Sequence, residues 1–164
     1  MSAELPTDAR AVVITASNRA SAGVYEDRSG QFLVDGLSVL GFAVEDSRVL
    51  PDDLAALTAA LREAVASGAD VVLTTGGTGL SPTDVTPEAT RAVLEREAPG
   101  IADAVRRHGA GHVPTSVLSR GLAGIAGRTL IVNLPGSTGG VADGMAVLGP
   151  LLPHVVSQLR GGDH

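Results

Sequence analysis

The clearest candidate for a binding site is a glycine-rich segment that follows an uninterrupted apolar run. Its residues are Thr75, Gly76, Gly77, Thr78 and Gly79. Glycines let a backbone approach a ligand closely, and N–H groups at the start of a helix bind anions. A glycine-rich turn after a strand can also be only a tight turn. The segment therefore predicts a phosphate site only together with its neighbours.

Acidic residues supply a second element of chemistry. The loop that begins at Ser81 carries Asp84 between two prolines. Magnesium prefers one or two carboxylates together with substrate phosphates, so a second acid at the same place would complete a site. Asp52 is the candidate for that acid, unless it caps the following helix. Asp53 can fill the capping role instead.

Two further segments place polar groups after apolar runs. The later one contains Asn133, Pro135, Gly136 and Ser137. Ser137 and the glycines after it offer donors at a helix start, although the segment can equally be a simple turn. The earlier one contains Ser17 and Arg19, and Arg19 either binds a phosphate bidentately or remains a solvated surface charge.

Residue types exclude several familiar sites. The chain contains neither Lys nor Cys, which excludes a P-loop and thiolate chemistry. Gly77 and Gly79 are followed by Pro82 where a dinucleotide fingerprint needs a third small residue. No Ser lies in a Gly-x-Ser-x-Gly elbow. His108 and His112 are separated by glycines, so we expect loop or surface residues rather than metal ligands.

Composition limits the class of protein. The 164 residues fit one ordinary domain, and the net charge of −6 argues against nucleic-acid binding through a broad basic face. The first ten residues contain Glu4 and Asp8 and do not have the pattern of a signal peptide. No apolar stretch has the length of a membrane span. A cytoplasmic protein is the resulting expectation.

The periodicity of apolar residues predicts an α/β fold. Strands are predicted at 11–16, 42–50, 70–75, 119–126 and 129–134. Helices are predicted at 30–40, 54–67, 87–97, 101–108 and 141–159, the last kinked or split at Pro150 and Pro153. Such alternation requires crossover connections and predicts a three-layer α/β/α sandwich with a mostly parallel sheet and one antiparallel strand. Ligands of open α/β sheets bind beyond the carboxyl ends of strands, where the three candidate segments lie.

The combination of motifs resembles the Mog and MoaB family of molybdenum-cofactor proteins. Residues 74–87 read TTGGTGLSPTDVTP, 133–137 read NLPGS and 17–25 read SNRASAGVY. The resemblance covers about 11–160, which we expect to form one domain between a flexible segment, 1–10, and a tail, 161–164. Asn18 departs from the family pattern, which often has Asp there, and residues 137–140 lack a frequent Pro and Lys.

The resemblance implies a molybdopterin-binding fold, commonly trimeric, and an adenylyltransferase that joins AMP from ATP to molybdopterin with release of pyrophosphate. Magnesium is the implied ion, with Asp52 and Asp84 as the functional carboxylates. Gly76–Gly79 and Asn133–Ser137 are implied to line the cleft for pterin and nucleotide. The alternative is a non-catalytic molybdopterin carrier or scaffold. A molybdate-insertion enzyme is disfavoured by the length of the chain but is an expected downstream partner.

Overall fold

The computed structural model describes residues 3–163, which form strands and helices in alternation. The strands are β1 (Arg10–Ala16), β2 (Ala43–Leu50), β3 (Val71–Thr75), β4 (Arg96–Glu97), β5 (Ala123–Ala126) and β6 (Thr129–Leu134). The helices are α1 (Asn18–Ser21), α2 (Arg28–Leu40), α3 (Leu54–Ala66), α4 (Thr86–Val93), α5 (Pro99–Ala110), α6 (Thr138–Leu148) and α7 (Leu152–Leu159). A 3₁₀ helix, Pro114–Leu118, follows α5.

The strands form one mixed sheet in the order β2-β1-β3-β6-β5-β4. Strands β2, β1, β3 and β6 are parallel neighbours, and β5 runs antiparallel to both β6 and β4. Every residue of β3 and of β6 is buried, as expected for central strands that helices cover on both faces. The predicted sandwich with one antiparallel strand is confirmed.

Alternating side chains of the central strands pack into two separate apolar layers. Val13, Leu73 and Val132 belong to one buried cluster, which also contains residues of α2, α6 and α7. The adjacent positions Ile14, Val72 and Ile131 belong to the other cluster, against α3 and α4. This period of two is the geometry of a strand. Packing in the two layers fixes the positions of the strand ends, and so the positions at which the following loops begin.

Three predicted segments differ from the sequence-based expectation by more than two residues. The helix predicted to reach residue 97 ends at Val93, because Arg96 and Glu97 pair with β5 as a short edge strand. The strand predicted from residue 119 begins only at Ala123. The helix predicted over 141–159 begins earlier, at Thr138, and is split into α6 and α7 with a bend of 61°.

Residues near both ends of the described range contact the rest of the domain. Ala9 is fully buried, and Leu5 packs against the core. The Arg160 guanidinium binds Asp70 through two hydrogen bonds of 2.9 Å and Asp8 through one of 2.8 Å. The flexibility expected of residues 1–10 stays a prediction, and Met1, Ser2 and His164 lie outside the described residues.

Within residues 3–163, no single helix is both long and apolar enough to cross a membrane. The bent pair α6 and α7 reaches that length and hydropathy only when taken together.

Candidate functional site

Three loops meet at the carboxyl edge of the parallel strands. The Ser17 N–H, after β1, donates to the carbonyl of Leu50 at 2.9 Å. The Gly76 N–H, after β3, donates to the carbonyl of Leu134 at 3.0 Å. The Thr75 hydroxyl donates to the Pro135 carbonyl at 2.7 Å. The second and third bonds join the loops after β3 and β6, and the first joins the loop after β1 to the end of β2.

The loops enclose a cleft with two lobes that share Gly76, Gly77, Asp84 and Gly136. The first lobe, of about 570 Å³, is also lined by Thr15, Ala16, Ser17, Ala20, Tyr25, Glu26, Asp27, Arg28, Ser29, Asp52, Thr75 and Thr138. The second lobe, of about 500 Å³, is also lined by Thr78, Gly79, His112, Val113, Thr115, Ser116, Leu118, Ser119, Pro135, Ser137, Gly139, Gly140 and Asp143. The shared loop Gly76–Gly77 is the wall between them.

Glycine is required in this wall for steric reasons. Gly76 has φ +91°, and a Cβ there would collide with the carbonyl oxygen of Ala16. Gly77 has φ +68°, and a Cβ there would collide with the hydroxyl of Thr86, which donates to the Gly76 carbonyl at 2.9 Å. Both backbones adopt a region that side-chain-bearing residues avoid. The glycines therefore let β3, β1 and α4 approach one another at the cleft.

Asp53, and not Asp52, caps helix α3. The Asp53 carboxylate accepts from the Ala56 N–H at 2.9 Å. Asp52 instead lines the first lobe, and its backbone N–H donates to the Asn18 side chain at 2.8 Å. Its Oδ1 is buried and has no hydrogen-bond partner within residues 3–163. A buried carboxylate oxygen without a donor is costly, and it suits a position that a cation or ligand completes.

Asp84 faces the same cleft as Asp52. Its Oδ2 accepts from the Ser81 N–H at 3.0 Å, and the carboxylate lines both lobes. Burial is the main cause that raises the pKa of Asp52 above its ordinary value; the backbone of Asn18 partly offsets it, and the negative charge of Asp84 raises it further. The two acids singled out from the sequence therefore lie close enough to interact.

The loop after β6 forms the wall of the second lobe. Ser137 caps α6 by accepting from the Gly140 N–H at 3.0 Å. The backbone of Gly136 lies against Gly76, since a Cβ on Gly136 would be 3.3 Å from the Gly76 Cα. Pro135, Gly136 and Ser137 all line the cleft, as do Ser17, Thr75 and Thr78 from the other loops.

Three residues that were predicted to bind ligand, Arg19, Ser81 and Asn133, are not among the residues that line either lobe. Arg19 is exposed on α1, where the helical turn brings Ala20 to the cleft instead. Ser81 is exposed at the loop tip and bonds to Thr83. Asn133 is buried: its amide donates to Thr74 and Thr90 at 3.0 and 2.9 Å, and its oxygen accepts from Leu122. Asn133 thus joins β6 to its neighbours.

The cleft also contains groups that the motifs did not reveal. Arg28, at the start of α2, lines the first lobe and is the one arginine among the lining residues of both lobes. His112 lines the second lobe, where its Nε2 lies 3.1 Å from both oxygens of Asp143. A single Arg or His has no sequence signal beyond its type. Only the fold brings these residues to the cleft.

The charge balance of the first lobe matters for any anionic ligand. Glu26, Asp27, Asp52 and Asp84 line it against the single guanidinium of Arg28. A polyphosphate entering this lobe requires further positive charge. No cluster of three or more His, Asp or Glu within residues 3–163 can hold a metal by itself. Asp52 and Asp84 do fit Mg²⁺, which takes one or two carboxylates and completes its shell with phosphates and water.

Comparison with known proteins gives consistent matches. A family model described as "Probable molybdopterin binding domain" matches residues 12–154. The "Molybdenum cofactor biosynthesis bifunctional protein" of Synechococcus elongatus is 38% identical over 154 residues, 94% of this chain and 48% of that protein. The chain thus spans about half of that relative. The "Molybdopterin adenylyltransferase" of Helicobacter pylori strain J99 is 36% identical, over 91% of this chain and 86% of that protein.

A solved structure resembles the whole fold. The molybdopterin biosynthesis Mog protein from Mycobacterium ulcerans is 50% identical and superposes with a TM-score of 0.88, over 92% of this chain and 99% of that one.

Proposed function

The chain belongs to the family of probable molybdopterin-binding domains, and from this premise we propose that it is a molybdopterin adenylyltransferase of molybdenum-cofactor biosynthesis. The reaction joins AMP from ATP to molybdopterin and releases pyrophosphate. The resemblance to the Mog and MoaB family, predicted from the motifs, is confirmed by the family match, by the relative named molybdopterin adenylyltransferase and by the Mog structure.

The observation that carries the proposal is the unpartnered Oδ1 of Asp52, which is buried in the same lobe as Asp84 and next to the glycine loop. In a protein that only carried molybdopterin and bound no cation, two converging carboxylates would repel the anionic phosphate of the ligand. Burying such a charge without a partner costs stability. A site for a cation bound to phosphates explains why both acids are present.

The first lobe suits the triphosphate of ATP. The amide N–H of Gly77, in the wall that the two lobes share, has no hydrogen-bond acceptor within residues 3–163. The same holds for the next amides along the loop, those of Thr78 and Gly79 beside the second lobe and that of Leu80. They are donors for phosphate oxygens, as in other glycine-rich anion sites. Arg28 adds one positive charge. Asp52 and Asp84 would hold Mg²⁺, which when bound neutralises phosphate charge and polarises the phosphoryl group.

The second lobe then takes molybdopterin, with the pterin against Pro135. In the transfer, an oxygen of the molybdopterin phosphate attacks the α-phosphorus of ATP. The bond from the α-phosphorus to the bridging oxygen breaks, and the electron pair leaves with pyrophosphate. The attacking phosphate is already anionic near neutral pH, so no protein base has to remove a proton. The chain therefore acts by positioning two anions across the Gly76–Gly77 wall and stabilising the charge between them.

The experiment is incubation of the purified protein with molybdopterin, ATP and Mg²⁺, with pyrophosphate followed over time and the product identified by mass. Pyrophosphate and adenylylated molybdopterin should appear together, and omitting any one component should stop both. Tight binding of molybdopterin without pyrophosphate would instead support the carrier or scaffold.

Assembly and context are proposals of the same kind. We expect a homotrimer in the cytoplasm that delivers its product to a molybdate-insertion enzyme. Light scattering would separate a trimer from a monomer or hexamer.

A further inference from the structure

Arg120 lies behind the glycine loop and binds it at several points. Its backbone N–H donates to the Thr78 carbonyl, and its Nε donates to the Gly79 carbonyl, each at 2.8 Å. One terminal nitrogen donates to the Asp84 carbonyl, also at 2.8 Å. Arg120 lines neither lobe, so it contacts the side of the loop that faces away from the cleft.

These bonds determine the direction of the loop amides. In a trans peptide, the carbonyl of one residue and the N–H of the next point in opposite directions. Because Arg120 holds the carbonyls of Thr78 and Gly79, the N–H groups of Gly79 and Leu80 point away from Arg120. Gly79 itself lines the second lobe, on the far side from Arg120. Arg120 therefore turns loop donors towards the cleft.

We infer that Arg120 is a positioning residue that orients the amides of the glycine loop and the backbone of Asp84 for binding phosphate at the wall between the two lobes. The inference rests on the proposed function, since it assigns the loop to the phosphates of ATP and molybdopterin. Arg120 touches no reacting atom. Its side chain acts through the carbonyls of Gly79 and Asp84, and its backbone N–H holds that of Thr78.

The shape of the guanidinium is essential to this role. Its planar fork reaches two carbonyls and the carboxylate of Glu88, with which it makes bonds of 2.8 and 3.1 Å. The same contact lowers the pKa of Glu88. A Lys ammonium keeps the charge but has a different donor geometry and cannot bridge the same set. Glu88 aligns the fork from outside, and it does not contact the loop carbonyls itself.

Arg120 also ties the loop to the opposite wall of the second lobe. It follows Ser119, which lines that lobe, and the pair stands between the 3₁₀ helix and β5. A change in the second lobe can therefore reach the nucleotide loop through one residue. No sequence motif marked Arg120, because its partners are backbone carbonyls about 40 residues away.

The test compares wild type, Arg120→Lys and Glu88→Gln by calorimetric binding of Mg-ATP and of inorganic tripolyphosphate. Arg120→Lys should weaken both affinities by about 10- to 100-fold, the size expected when donors are misplaced. Glu88→Gln should stay within about threefold, because it can still accept from the guanidinium. Wild-type affinity in Arg120→Lys would overturn the inference.

Amide spectra of ¹⁵N-labelled protein add a readout that a loss of overall stability would not mimic. On addition of tripolyphosphate to wild type, the amides of Gly77, Thr78, Gly79 and Leu80 should shift. In Arg120→Lys the shift should shrink most at Leu80, because the guanidinium holds the carbonyl of the same peptide group, that of Gly79. If Arg120→Lys does not fold, the wild-type spectra decide, and unmoved loop amides would overturn the inference. A wild type that binds tripolyphosphate but releases no pyrophosphate from ATP would refute the transferase and leave the role of Arg120 intact.

Discussion

Asp53 accepts the capping hydrogen bond of helix α3, and this leaves its neighbour Asp52 with a buried oxygen that no donor within residues 3–163 satisfies. The two adjacent acids therefore have different functions. Asp53 stabilises a helix start, whereas Asp52 remains available to a cation in the first lobe.

Substitution of each acid in turn separates these two roles. Asp52→Asn should lower the rate of adenylylation by about 100-fold or more, the loss typical when a charge-stabilising group is removed from an active site. Its melting temperature should be equal to or above that of wild type, because the substitution removes a partly buried charge. The matched control, Asp53→Ala, should lose about 1 kcal/mol of stability by removing a cap while retaining activity. The reverse pattern would show that the capping assignment is wrong.

The raised pKa of Asp52 predicts a pH dependence of stability with a definite sign. Its folded pKa exceeds its unfolded value, mainly through burial. The native state then binds the proton more tightly than the unfolded state does. The contribution of Asp52 to the stability of the fold is therefore complete below the unfolded pKa and is lost as pH rises through the folded pKa. The free energy of unfolding is measured with urea for wild type and Asp52→Asn, without metal or nucleotide. The value for Asp52→Asn should rise relative to that for wild type as pH increases from about 3 to about 7. A constant difference would contradict the raised pKa.

Arg28 should contribute more to nucleotide binding than Arg19. Arg28→Ala removes the one guanidinium among the residues that line the lobes, and we expect KM for ATP to rise about tenfold, in line with about 1.5 kcal/mol for a charge-assisted hydrogen bond. Arg19→Ala is the matched control, since Arg19 is exposed on α1 and only its neighbour Ala20 lines the lobe. Its KM should change by less than about twofold. Equal increases in KM for the two variants would contradict the assignment of phosphate binding to Arg28 rather than to Arg19.

The ion pair between Arg160 and Asp70 should be the strongest electrostatic contribution to stability. Asp70 is only 6% exposed and receives two bonds from Arg160 and one from the Arg10 N–H. Arg160→Ala leaves this carboxylate partly unpaired and should cost about 2 to 4 kcal/mol in chemical unfolding. Arg48→Ala, which breaks exposed pairs with Asp46 and Glu63, should cost less than about 1 kcal/mol. Similar losses of unfolding free energy in the two variants would contradict the expectation that the buried ion pair stabilises the fold more than the exposed pairs do.

The sequence predicted those parts of the fold that depend on local patterning. The buried runs of β1, β3 and β6 and the helices between them follow from apolar periodicity, and so does the edge at which the loops meet. β4 was missed because its two residues, Arg96 and Glu97, are exposed and take strand geometry only by pairing with β5. A pairing partner about 30 residues away leaves no local signal.

Parts of the site were predictable for the same reason, and others were not. Glycines that permit close backbone approach are visible in a sequence, as are acids next to them. The choice between Asp52 and Asp53 stayed open because either can cap a helix, and only the path of the chain assigns the cap. Asn133 resembled a ligand-binding residue, but its amide is consumed by Thr74 and Thr90. Which polar groups are already paired is a property of the folded structure.

The most direct test of the account is pyrophosphate release from ATP in the presence of molybdopterin and Mg²⁺, measured for wild type and Asp84→Asn with molybdopterin binding determined in parallel. The account predicts that Asp84→Asn binds molybdopterin as wild type does and forms product at least about 100-fold more slowly. Equal turnover in the two proteins would contradict it.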